Sequence, residues 1–137
     1  MHSSILKYCK SIRKRHIEVL RHSKKGWYWD LPACASICHD GNNGRQKRGY
    51  SHKPDSIKWN HVLRRKMTRK LGQIGTKSKL GKHYIIGNCA EQHSGNNYMK
   101  RYGVNNLSSL SFSETVRPRT MEIIPPCDDC KAIFPNL

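Results

Sequence analysis

At 137 residues the chain has room for one domain, in which a single sheet and a few helices close one core. Its 26 Lys+Arg against 9 Asp+Glu leave a formal charge of +17, a self-repulsion that calls for a polyanionic partner. No apolar run reaches the length of a membrane span, and basic residues break up the N-terminal segment. Neither a membrane-spanning helix nor a secretory signal is therefore expected.

DNA or RNA leads the polyanions; an acidic inhibitor protein and an anionic membrane surface are the other candidates. Six cysteines could form a disulfide framework, since the number is even. The spacing of Cys127 and Cys130 after a double proline instead favours metal-bound thiolates in a reducing compartment.

Taken in order, residues 3–22 carry Ile5, Cys9, Ile12, Val19 and Leu20 near helical spacing, with Lys and Arg between them. A basic amphipathic helix is the simplest reading; a mitochondrial-type presequence is the alternative. GWYWDL at 26–31 suits a short strand or a surface aromatic cluster. Cys34, Cys38 and His39 have irregular spacing for a metal site and read as packing residues. Residues 39–55, rich in Gly, Asn and positive charge, are expected as a mobile loop.

Asp55–Leu71 is the clearest amphipathic helix, started by Pro54-Asp55-Ser56 and striped by Trp59, Val62, Leu63, Met67 and Leu71. Its basic side is either a solvated face or a phosphate-facing one. The single sign favours the second, with Arg64, Arg65, Arg69 and Lys70 as candidate backbone contacts. Gly72, Gly75 and Gly81 punctuate a turn-rich linker. His83–Ile86 then reads as a strand, Cys89–Tyr102 as a helix and Thr120–Ile124 as a strand. The order gives an α/β domain spanning 1–137, with a basic helix and loop region over 1–55 and a core over 56–137.

Two segments concentrate the chemistry: GNCAEQHSGNNYM at 87–99 and IPPCDDCKAIF at 124–134. Each sets a cysteine after a strand, where it opens a helix whose dipole and free amides favour the thiolate. P-C-x-x-C lets two thiolates of one turn grip one ion, and Cys89 as a third ligand leaves a zinc ion an open position, as catalytic sites do. Glu91, in the first turn after Cys89, can lean over that position without ligating, the placement of a proton carrier. A structural zinc knuckle would want a fourth ligand, and neither His83 nor His93 has the spacing for it. His93 is expected to hydrogen-bond behind the ligands. Asn88 either contacts a sugar or base or caps the helix. Tyr84 and Trp27-Tyr28-Trp29 either stack on a base or fill the core.

The pair C-A-E and P-C-D-D-C resembles the zinc signature of the cytidine deaminase superfamily, H-x-E…P-C-x-x-C with a three-cysteine variant. The longer string G-N-C-A-E-Q-H-S-G-N-N-Y is similar to the deaminase domains of bacterial polymorphic toxins. The resemblance covers the last third to half of the chain. It implies a three-layer fold, a central mixed sheet with helices on both faces, here compact and C-terminally truncated. It further implies Zn2+ on Cys89, Cys127 and Cys130, Glu91 as proton shuttle, and hydrolysis of cytosine to uracil in single- or double-stranded DNA. Asn88, Tyr84 and Ala90 are the candidate substrate contacts. Such a domain would be a monomer, act in a reducing cytoplasm after delivery within a larger secreted toxin, and meet an acidic immunity protein. The first ligand departs from the histidine of many nucleic-acid deaminases and matches free-nucleoside ones. A free cytidine deaminase is therefore the alternative, followed by a non-enzymatic basic zinc module.

Overall fold

The computed structural model describes residues 2–20, 31–41, 44–80 and 84–137. The aromatic run Trp27-Tyr28-Trp29, Gly81 and His83 lie outside the described residues. In chain order the elements are α1 (His2–Leu20), β1 (Ala35–His39), β2 (Gln46–Tyr50), α2 (His61–Lys70), α3 (Ala90–Tyr102), β3 (Ser111–Phe112), β4 (Thr115–Val116), β5 (Ile123–Ile124) and α4 (Asp128–Ile133). The strands form an open five-stranded sheet in which β1 pairs with β2 on one side and with β3 and β4 on the other, and β5 lies beyond β4. Among the described residues every pairing is antiparallel, which corrects the expectation of a mixed sheet. Among the described residues no helix is long and apolar enough to cross a membrane.

Helices cover both faces, and β1 explains why. Its side chains alternate: Ala35 and Ile37 join Ile5, Tyr8, Cys9 and Ile12 of α1, while Cys38 joins the larger core under α2, α3 and α4. Those four α1 positions follow the i, i+3, i+4, i+7 rule, so the N-terminal helix lies where its periodicity predicts. The larger core holds Leu63, Met67, Leu71, Ile86, Tyr98, Met99, Ile133 and Phe134, all essentially inaccessible.

The contact between α3 and the sheet is unusually close. Ser36 and Ser94 share a hydrogen bond of 2.8 Å between their hydroxyls. A Cβ on Gly49 of β2 would lie 2.2 Å from the Ser94 backbone nitrogen, so that position admits no side chain. The QKRGY strand was expected as mobile loop. Its basic residues hide a strand that is ordered by β1 pairing and by helix contact at a glycine, signals that local propensity does not carry.

Three further boundaries differ from expectation. α2 starts after Asn60, whose side chain accepts from Val62 N and Leu63 N at 2.9 and 3.2 Å, and not at Asp55. Asn60 is fixed there because its own N–H donates to Asn96 Oδ1 on α3 at 2.7 Å. Pro54-Asp55-Ser56 makes a turn instead, closed by Ile57 N to Pro54 O at 3.2 Å. Tyr84–Ile86 contributes an isolated bridge from Ile85 to Lys77 rather than a strand. Before β5 the chain turns through residues 118–120, so only Ile123–Ile124 is strand.

One irregularity shapes the site. Cys38 faces Phe112 and Ala35 faces Val116, so three steps along β1 are matched by four along its partner. The extra residue is a bulge at Ser113-Glu114, stitched by Ser113 N to Ile37 O at 2.8 Å and by Ile37 N to Ser113 Oγ at 2.9 Å. The bulge reverses the side-chain alternation. It turns Thr115, in place of Glu114, toward α3.

Gly49→Ala should cost roughly 2–3 kcal/mol, because two backbones must separate to admit one methyl. A chemical or thermal melt measures it, and an unchanged midpoint would show that the strand and helix are not in register here.

Candidate metal centre

All six cysteines are free thiols, which sets aside the disulfide framework. Cys89 reaches the site because Gly87 adopts a left-handed conformation (φ +95°) in a place where a Cβ would meet Pro54 at 2.8 Å. The next turn is then capped: Gln92 Oε1 accepts from Gly87 N at 2.8 Å and from Cys89 N at 3.4 Å. Cys89 is thereby the N-cap of α3, and Cys127 is the N-cap of α4, with Cys130 in its first turn. Two helix starts, from segments far apart in sequence, point their thiols at each other.

Cys89 Sγ lies 3.6 Å from Cys127 Sγ, and the three sulfurs of Cys89, Cys127 and Cys130 all lie within 4.8 Å of one another. Among the described residues this is the only cluster of three such groups able to share an ion. Thiolates held at about 2.3 Å in tetrahedral geometry stand roughly 3.8 Å apart, so the donor set fits zinc in both spacing and softness. The metal's identity is otherwise open to any thiophilic ion. The three groups are shifted unevenly: close contact with the Cys130 and Cys89 sulfurs holds Cys127 down to about 3, and the same contacts, with burial, raise the other two. Three sulfurs so close cannot all ionise unless a cation joins them.

Glu91 stands beside this cluster, only 4 % exposed. Thr115 Oγ1 donates to its Oε1, and the Cys130 thiol donates to its Oε2 at 3.4 Å. Burial raises the Glu91 carboxyl above the ordinary range, and the Thr115 hydrogen bond acts against that rise. Thr115 is a site residue that sequence reading missed. Its arrival depends on the bulge, which no local pattern announces.

A cavity of about 830 Å³ opens over these groups. Cys89, Ala90, Glu91, Thr115 and Cys127 form one wall, and the expected contacts Asn88 and Tyr84 line it too. Asn88 Oδ1 is buried without a hydrogen-bond partner. Cys34, read from sequence as packing, also lines the cavity, its thiol raised to about 11 by burial. Lys53, Lys77 and Arg117 bring positive charge to the lining; none had been singled out. Arg64, Arg65, Arg69 and Lys70 are exposed on α2 and do not line the cavity.

His93 does not join the sulfurs. Its Nε2 faces His52 O at 3.0 Å, and its ring stacks on His52 with centroids 3.7 Å apart. Burial, aided by the neighbouring His52, lowers it to about 4. Comparison with protein-family models, with curated proteins and with solved structures finds no match for the chain.

Purified chain should carry one zinc, and Cys89→Ser, Cys127→Ser or Cys130→Ser should each weaken it by more than about 100-fold, beyond the loss typical of outer-layer partners. Metal analysis after dialysis decides it; full zinc content in all three variants would dissolve the cluster. A second expectation concerns acid. The folded chain keeps His93 neutral down to about 4, while the unfolded chain binds a proton below its ordinary 6.5. Stability is therefore complete above pH 6.5 and falls as the pH drops toward 4, by roughly 3 kcal/mol. Urea midpoints measured across that range should fall less steeply in His93→Gln. Parallel curves would remove His93 as the cause.

Proposed function

We propose that the chain is a zinc-dependent deaminase that hydrolyses cytosine to uracil in DNA, with the fold of the cytidine deaminase superfamily. The observation that carries this reading is a buried carboxyl, Glu91, set against a three-cysteine cluster at the wall of a cavity large enough for a nucleoside. A structural zinc site has no use for such a carboxylate or for an opening. Helices on both faces of one sheet are consistent with the three-layer fold.

Cys89, Cys127 and Cys130 would hold the zinc, which when bound supplies Lewis acidity and lowers the pKa of water at its open position. Thr115 holds Glu91 Oε1 in place, and Cys130 as a metal-bound thiolate would leave Oε2 free to accept a proton. Glu91 then takes a proton from water as its oxygen bonds to C4 of the base. The same carboxyl returns that proton to the exocyclic amine, the C4–N4 bond breaks, and ammonia leaves. A carboxyl raised by burial is better matched to both transfers near neutral pH. Asn88, with its unpartnered oxygen, suits a sugar hydroxyl or an amine, and Tyr84, 44 % exposed, suits stacking.

The net charge of +17 and the lysines and arginine of the cavity favour a polynucleotide, DNA ahead of RNA, whose target base is unpaired or flipped. A mutagenic toxin or effector domain, a monomer delivered into a reducing cytoplasm and restrained by an acidic immunity protein, fits that combination. A free cytidine deaminase is the second reading, favoured by the all-cysteine ligand set.

Glu91→Gln should lower uracil formation on cytosine-containing oligonucleotides by about 10²–10⁴-fold while zinc content is kept. Retained turnover removes Glu91 from its role. Ammonia release from cytidine alone, with oligonucleotides inert, selects the second reading.

A further inference from the structure

A second concave surface lies along the edge of the sheet. It encloses about 680 Å³ and is lined by Gln46, Lys47, Arg48, Asn97, Lys100 and Arg101: four cations, two amides and no carboxylate. β2 forms one side and the last turns of α3 the other, joined by Asn97 Nδ2 donating to Arg48 O at 2.9 Å. Arg101 lies 5.4 Å from the centre of the Tyr102 ring, while Arg48 borders the groove through its backbone, bonded to Asn97, and carries its guanidinium to Tyr8 of α1, 5.2 Å from the ring centre.

Simpler duties do not account for the whole arrangement. Lys100 and Arg101 offset the C-terminal dipole of α3, and basic residues discourage an edge strand from pairing with another chain. Neither duty requires the two sets to face each other across a groove with amide donors between them. The basic face of α2, by contrast, is a single helix surface with no opposing wall in its hollow, lined by His61, Arg64, Arg65, Thr68 and Arg69.

We infer that this groove holds the phosphate backbone of a nucleic acid strand at a fixed distance from the reacting base. The distance follows from the fold, because β2 and α3 run antiparallel between groove and cavity. Arg48 meets Asn97, Gly49 meets Ser94, and His52 N donates to Asn88 O at 3.1 Å. Glu91 and Arg101 mark the two ends of α3, about 15 Å apart at 1.5 Å per residue. That span is roughly four phosphate steps of a stacked strand at 3.4 Å each. The distance rests on the deaminase reading, since it is measured from Glu91; the phosphate site itself does not.

The test uses the full chain with oligodeoxynucleotides of about three and about twelve nucleotides, titrated against NaCl. Lys100→Gln with Arg101→Gln should lower the salt slope on the longer strand by about 1.4, at roughly 0.7 per lost contact, and weaken its binding about tenfold or more. Binding and turnover of the short strand should not change. A second pair, Lys47→Gln with Arg48→Gln, should act alike, and melting curves establish that each variant folds. An unchanged slope in both pairs overturns the groove. So does an equal loss on the short strand, a larger loss from Arg64→Gln with Arg65→Gln, or displacement of the strand by polyglutamate at equal charge. A lowered slope with no uracil formed on any strand sinks the deaminase reading and leaves the groove standing. Uracil formed with an unaltered slope does the reverse.

Discussion

The organisation of the molecule depends on how closely α3 lies on the sheet. Helices usually stand off a sheet by the length of the side chains between them. Here Ser36, Gly49 and Ser94 remove that layer, and the serine hydroxyls satisfy each other in the gap. Because α3 cannot slide or rotate in such a contact, its first turn is fixed relative to β1 and β4. Glu91 consequently lies under Thr115, and Cys89 lies opposite the helix that carries Cys127 and Cys130. The far end of the same helix is fixed against β2 by the same contact.

The electrostatics of the centre follow from crowding. Three thiols and a carboxyl crowd one partly buried corner of the cavity, so ionisation of any one opposes that of the others. The arrangement is costly for a fold to maintain unless it is used, since four hydrophobic side chains would pack there without like-charge conflict. The bulge at Ser113-Glu114 belongs to the same economy. Regular alternation would have aimed the Glu114 carboxylate at Glu91, and the extra residue substitutes a hydroxyl donor.

What was legible in the sequence is what local chemistry dictates. Cys89, Cys127 and Cys130 carry ligand spacing and helix-start context, Glu91 stands two residues past a ligand, and α1 and α3 show in periodicity and capping. What escaped depends on pairing at a distance. β1 is short and buried on both faces, so ASICH shows no alternation to read. β2 reads as loop because its stabilising partners are β1 and α3, and Thr115 is invisible until register is known. The early start predicted for α2 failed because Asn60 is pinned by Asn96 from across the core, an interaction that outweighs the local signal at Pro54-Asp55-Ser56. The mixed sheet implied by the resemblance gave way to antiparallel pairing throughout.

The two ends of α3 divide the labour of a charged protein. At the N-terminus the dipole's positive end meets a thiol and a carboxyl, groups it helps to ionise; at the C-terminus Lys100 and Arg101 meet the negative end, which favours cations. The same gradient thus places ionisable sulfur and carboxyl groups at one end of the helix and fixed cations at the other. A strand following it would pass from charge recognition to chemistry along one rigid element, with no hinge between. On the proposed reading that rigidity would convert a backbone contact into a choice of base by position, a phosphate held at one end of α3 setting which nucleotide reaches Glu91 at the other. On this reading, selectivity along the strand comes from the length of a helix, and selectivity for the base itself comes from the cavity.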